Sequence, residues 1–125
     1  MIFLRTTSLR HAGTGRALLP KVRVAETLWE KFVGLMGRKE LPADEALLLP
    51  DCGSIHMFFM RFSIDAVYLD RNFTVTKIVH RLRPWRLSWS LRASAVLEAP
   101  AGWAGDAGLK PGDELKLEEG VTANE

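Results

Sequence analysis

Cys52, His56 and Asp65 bring a thiol, an imidazole and a carboxylate within fourteen positions, in the run CGSIHMFFMRFSID. An imidazole titrating near pH ~6.5 is the natural general base of such a group, with Asp65 to orient it and Cys52 as a nucleophile that His56 would activate. That reading is a small hydrolase or transferase. The same side chains are metal-ligand types, with His80 or Asp51 as a fourth, which gives a metal-binding alternative centred on Cys52 and His56. The C-x3-H spacing suits one face of a helix, yet Gly53 and the aromatic run after it argue against a helix there. A third reading is structural: a hydrogen bond between His56 and Asp65 that braces a turn.

Ile55, Met57, Phe58, Phe59, Met60 and Phe62 are interleaved with these polar groups and favour burial. A buried imidazole or carboxylate without a hydrogen bond costs on the order of 1–3 kcal/mol. The segment therefore either closes its own hydrogen bonds as a packed turn or lines a pocket that a ligand completes.

A second group follows. His80, Arg81, Arg83, Trp85, Arg86, Trp89 and Arg92 place four arginines and two tryptophans in thirteen positions without an acidic residue. Arginine forks suit phosphates and carboxylates, and tryptophan faces stack on rings and cations. Arg83, Trp85 and Arg86 are thus candidates for contact with a protein or an anionic small molecule. The plainer alternative folds the rings back on the domain and leaves the guanidinium heads in water. Nucleic acid is disfavoured, because 17 Lys and Arg against 15 Asp and Glu leave a net charge of only +2.

The elements that must position these groups read as mainly antiparallel β with one main short helix, an α+β domain that is compact and sheet-like or barrel-like. Residues 1 to 7 suit a first strand, and residues 8–16, with Gly13 and Gly15, a loop. Val22 to Ala25 resumes a β pattern. Thr27 with Glu30 is a capping-box pair, and Leu28, Phe32, Leu35 and Met36 follow at helical spacing, which predicts a helix over about 28–36 stopped near Gly37. Ala46 to Leu49 is a brief buried strand. Ile64 to Leu69 and Phe73 to His80 form a hairpin around Asp70-Arg71-Asn72. Arg81 to Ser90 reads as a loop, Ala93 to Glu98 as a strand, Pro100 to Leu109 as holding one helical turn, and Glu114 to Leu117 as a last strand after the turn at Pro111-Gly112.

At 125 residues, 47% hydrophobic and 26% charged, the chain is expected to be one domain with a real core. Its one cysteine excludes an internal disulfide and any C-x-x-C pair. The run Cys52 to Met60 falls well short of the ~20 apolar residues that span a bilayer. Without a recognisable export signal at the N-terminus, the expected location is cytoplasmic. Basic residues dominate before Glu26 and acidic ones after Asp113, so the two ends should attract one another weakly, or the basic end should serve as an arm for an acidic partner.

Five separated blocks carry a resemblance: V-G-L-M-G-R at Val33 to Arg38, L-P at Leu41-Pro42, the Cys52 to Asp65 run, V-L-E-A-P-A-G at Val96 to Gly102, and G-L-K-P-G-D at Gly108 to Asp113. In this order they resemble the family called domain of unknown function 192, in a Cys-x-Ser-Ile-His form, over a core of about residues 22–118. Residues 119–125 then read as a flexible tail. The resemblance implies a mostly β fold and no established activity. It nominates Met36, Arg38, Cys52, Ser54, His56, Met60, Asp65, Glu98, Gly102, Gly112 and Asp113. Of these, Arg38, Asp65, Glu98 and Asp113 are expected in a buried ion-pair network or a polar ligand site, because charges beside apolar strands are rarely buried unpaired.

The resulting expectation is a non-catalytic binding or accessory module with a polar or anionic ligand or a protein partner and no cofactor. Its candidate contacts are Arg38, Ser54, His56, Asp65, Arg83, Trp85, Arg86 and Glu98. His56 with Asp65 or Cys52 is the catalytic alternative.

Overall fold

The computed structural model describes residues 5–118. The expected flexible tail and the first four residues lie outside that range. The chain runs β1 (Arg5–His11), β2 (Ala17–Val24), α1 (Leu28–Val33), β3 (Glu45–Pro50), β4 (Ser54–His56), β5 (Ile64–Leu69), β6 (Val75–Leu82), β7 (Leu87–Trp89), β8 (Ala95–Pro100), α2 (Trp103–Asp106) and β9 (Leu115–Glu118). Seven strands form one sheet in the order β6-β5-β8-β3-β2-β1-β9, and β4 pairs with β7 in a separate two-stranded ribbon.

Every pairing is antiparallel except β2 with β3. A parallel pair needs a crossover rather than a tight turn, and the segment holding α1 supplies it. The edge strands β6 and β9 approach one another at the isolated Thr74–Glu114 bridge. Nearby, Val75 N–H donates to the Asp113 carbonyl and Leu115 N–H to the Phe73 carbonyl. The sheet curls but is not a closed barrel.

The strands at its centre are covered on both faces, which is why β5 is buried at all six positions. One face carries a core of Val22, Val24, Leu48, Val67, Leu69 and Leu97, closed by Ala104 of α2. The other carries Leu47, Leu49, Ile64, Tyr68 and Val96, closed by Leu35, Ile55, Met57 and Met60 from the segments around α1 and β4. Each large apolar side chain taken fully out of water contributes about 1.5–3 kcal/mol. Two such layers let a small domain stand without disulfides.

Three local expectations are corrected, and the attraction expected between the two ends is seen as strand pairing. Residues 8–16 are not all loop: β1 runs to His11 and β2 begins at Ala17, because both strands find partners across the sheet. The basic and acidic ends meet as paired strands, with Arg10 Nε 2.8 Å from Glu118 Oε2. The helix ends at Val33 rather than Met36. Its capping box forms as expected, with Thr27 Oγ1 accepting from Glu30 N–H and Glu30 Oε1 from Thr27 N–H, but Gly34 leaves the helical region at φ 47° and stops it. Finally, the segment from Arg81 to Ser90 is not a loop throughout: it contains the end of β6 and all of β7, whose partner β4 lies in the stretch expected to be a packed turn.

Candidate functional site

Asp65 and Glu98 sit on adjacent central strands and face opposite sides of the sheet. Asp65 is wholly buried. Its Oδ1 accepts from the backbone N–H groups of Arg81 (2.9 Å) and Gly102 (3.1 Å), and its Oδ2 from that of Ala104 (2.8 Å). The β5–β6 register shifts by one residue between Ile64 and Ala66, and Arg81, at φ 53°, lies in that bulge. Gly102 is the N-cap of α2 and supplies no side-chain cap, and Ala104 lies in its first turn. Asp65 is therefore a tertiary cap and bulge clamp. Gly102 is needed beside it: it holds φ +90°, and a Cβ there would stand 2.9 Å from Arg81 Nη2.

Glu98 is different. On β8 it lies in register with Leu47 of β3 and Ala66 of β5, on an otherwise apolar stretch of sheet. It is 5% exposed. Among the described residues its carboxyl makes no hydrogen bond or ion pair. Burial alone raises its pKa from the ordinary 4.5 to about 8, so at neutral pH it is a carboxylic acid.

Glu98 borders a cavity of about 560 Å³. Leu35, Met36, Leu49, Ile55 and Met60 give it mostly apolar walls, and Gly34 brings bare backbone near the acid, where a Cβ would stand 3.6 Å from Glu98 Oε1. Ser54, Leu87 and Trp89, all exposed, lie at its mouth. Cys52, His56 and Ser88 complete the lining. The β4–β7 ribbon aligns Ile55 with Ser88 and His56 with Leu87, so two segments far apart in sequence form one wall. Ser88 is buried and holds the Tyr68 hydroxyl at 2.7 Å.

Of the nominated residues, then, Met36, Cys52, Ser54, His56, Met60 and Glu98 come together. Asp65 and Arg38 do not. Arg38 faces Glu45, whose carboxylate also meets Lys21 (3.6 Å) and Arg23 (3.4 Å), and Asp113 pairs with His11 (3.4 Å) and Lys110 (3.9 Å). The single ion-pair network expected of Arg38, Asp65, Glu98 and Asp113 resolves into separate arrangements, because Asp65 and Glu98 face opposite sides of the sheet while Arg38 and Asp113 lie in connecting segments between α1 and β3 and before β9.

The residues of the catalytic alternative each have a backbone partner of their own. His56 Nδ1 accepts from Phe58 N–H at 3.2 Å, Cys52 Sγ donates to the Ser54 carbonyl at 3.0 Å, and Asp65 is committed to three backbone donors. The hydrogen-bond partners of Cys52 and Asp65 are backbone groups, where the expected brace would have joined Asp65 to His56. Nor do Cys52, His56 and Asp65 form a ligand cage: among the described residues no three His, Cys, Asp or Glu side chains cluster to hold a metal ion.

Arg83, Trp85 and Arg86 lie outside the cavity, on the exposed end of the ribbon. Trp85 does not fold back. It takes φ 67° and stands against Phe59 (5.0 Å between ring centroids) and Phe58 (6.0 Å), both exposed.

The comparisons with other proteins fit this architecture. The family model DUF192, described as an uncharacterized ACR, matches residues 8–117. The chain belongs to this family. The DUF192 match begins earlier than the expected core because β1 and the start of β2 are part of the sheet. Its relatives include a UPF0127 protein of Pyrococcus horikoshii, 35% identical over 100 residues, covering 77% of this chain and 86% of the relative. Another, from Thermococcus sibiricus, is 33% identical over 109 residues, covering 83% and 70%. Among solved structures, a protein of unknown function from Novosphingobium aromaticivorans superposes with a TM-score of 0.76 at 25% identity, covering 89% of this chain and 83% of that one. A Sinorhizobium meliloti protein described as a candidate transcription regulator gives 0.82 at 23% identity, covering 94% and 97%, which is a likeness of fold alone. Among the described residues no helix is long and apolar enough to cross a membrane.

Ser88 escaped the sequence reading. The Leu87-Ser88-Trp89 alternation was a usable strand signal, with Ser88 inward, but it lay inside a stretch dominated by arginines.

Proposed function

We propose that this DUF192 domain is a non-catalytic binding module that holds a small molecule, with an apolar body and one polar group, in the Glu98 cavity. The observation that carries this is Glu98 itself: a buried carboxyl without a partner among the described residues, bordering a cavity large enough for a ligand. A buried polar group that lacks its hydrogen bond is costly to keep, and a ligand that supplies the bond offsets the cost. Separate engagement of Cys52, His56 and Asp65 favours binding over catalysis, since a general base needs its proton donor and its orienting group within hydrogen-bond reach.

N-phenyl-1-naphthylamine, a neutral dye that brightens in apolar sites, tests the cavity. The native protein should give saturable fluorescence enhancement with one site, and Ser54→Trp, which plugs the mouth from an exposed position, should remove most of it while leaving the unfolding midpoint unchanged. Enhancement that never saturates, or that Ser54→Trp leaves intact, counts against the cavity.

A second reading rests on the exposed Phe58, Phe59 and Trp85 beside Arg83 and Arg86. This apolar and basic surface suits an acidic protein partner, with rings for contact area and arginine forks for carboxylates. Arg83→Ala, Trp85→Ala and Arg86→Ala should each fold normally and lose an acidic partner that the native chain recovers from cell extract in a salt-sensitive manner. Equal recovery by all three variants would end this reading.

A further inference from the structure

We infer that the ligand of the Glu98 cavity is an amine, whose protonated nitrogen seats against the Glu98 carboxyl while its apolar body lies along the walls of Met36, Leu49, Ile55 and Met60. This rests on the cavity reading above and adds the chemical class of its occupant.

The first ground is the choice of an acid. At the position between Leu47 and Ala66 a glutamine would offer a donor and an acceptor of nearly the same shape, without any cost of ionisation. Only the capacity for negative charge separates the two. The second is that no cation among the described residues pairs with the acid. Lys31 of α1 lines the cavity but makes no ion pair with Glu98, and Arg38 faces Glu45 instead. Gly34, beside the acid, contributes no side chain. The counter-charge must come from outside.

The third ground is the balance of groups around the acid. From the turn after β3 come Asp51 and Cys52, from β4 His56 and from β7 Ser88, whose hydroxyl is already taken by Tyr68 of β5. His56 Nδ1 accepts a hydrogen bond, and Lys31 and Asp51 offset one another in formal charge. An anionic ligand would find no arginine among the described lining residues and would meet Glu98. A cation instead finds a carboxyl in a low-dielectric wall, where an ion pair is strong, and an aromatic residue, Trp89, in the same lining. The exchange balances: an ammonium ligand displaces the carboxyl proton of Glu98, which leaves to solvent as the ion pair forms.

The test is a matched set with one body and three head groups, 2-phenylethylamine, 2-phenylethanol and 3-phenylpropionate, displacing N-phenyl-1-naphthylamine, with calorimetry in two buffers of different ionisation enthalpy. At pH 7 the amine should bind at least about tenfold more tightly than the alcohol, release about one proton, and weaken about tenfold between pH 7 and pH 6 as protons compete for the acid. Glu98→Gln should bind amine and alcohol equally and release none. If the alcohol matches the amine on the native chain, or no proton is released, the amine assignment is overturned while the cavity stands. If the dye binds and none of the three displaces it, the amine assignment is likewise overturned. If the dye itself fails to bind, the cavity reading falls with it.

Discussion

Asp65→Ala is expected to cost about 4 kcal/mol or more of folding stability, a large share of the roughly 5–15 kcal/mol that holds a small domain together. The carboxylate accepts three backbone N–H bonds at 2.8–3.1 Å, and no other side chain stands in when it is removed. Hydrogen bonds to a charged acceptor contribute about 1.5–3 kcal/mol each, and donors left buried add their own desolvation cost. The damage should be local in origin: the β6 bulge at Arg81 and the start of α2 lose their common anchor. Urea unfolding followed by tryptophan fluorescence measures it. Asp65→Asn should fall between native and alanine, because one oxygen still accepts while the amide opposes a donor. A loss under about 1 kcal/mol for alanine would refute the clamp. Where the asparagine variant remains folded, dye binding in the Glu98 cavity should persist, which a role for Asp65 in catalysis or ligand contact would not predict.

Glu98→Gln should act in the opposite direction and stabilise the protein, increasingly so with pH. The acid titrates near 4.5 when unfolded and at about 8 in the fold. Its contribution is therefore fully present below about pH 4.5 and is lost as pH rises through about 8, because the unfolded chain ionises freely and the folded one cannot. At about 1.4 kcal/mol per pH unit the penalty reaches about 3 kcal/mol at pH 7 and about 5 kcal/mol above pH 8. Glutamine carries none of it. Asp113, whose pKa is lowered first by its bond from the Lys110 backbone, pulls the other way only in acid, and the comparison between variants cancels it. Unfolding free energies of both proteins at pH 5, 7 and 8.5 should diverge steadily, and parallel curves would contradict the burial of an unpaired acid. An amine ligand should narrow the gap, since it stabilises the ionised native form alone.

Together these residues give the central sheet two uses. Toward α2, an acid is saturated with backbone bonds and serves stability. Toward the β4–β7 ribbon, an acid is left unsaturated at a cost. The proposed ligand would offset that cost.

Much of this was determined by the sequence alone, wherever the signal was local. The Thr27–Glu30 capping box, the hairpin of β5 and β6 around Asp70-Arg71-Asn72, and the apolar run of β3 follow from side-chain periodicity and turn chemistry within a few residues, and the structure realises them. The separated motifs likewise determined the family. The tertiary structure decided the rest, because it depends on which strands become neighbours. Nothing near Asp65 in sequence announces that its partners are Arg81, Gly102 and Ala104, or that Ser54 to His56 finds a strand partner in Leu87 to Trp89. Within CGSIHMFFMRFSID, chain proximity suggested one site for Cys52, His56 and Asp65. Sheet alternation sends Asp65 and Glu98 to opposite faces, and so Glu98, thirty-three residues further on, rather than Asp65, shares the cavity with His56.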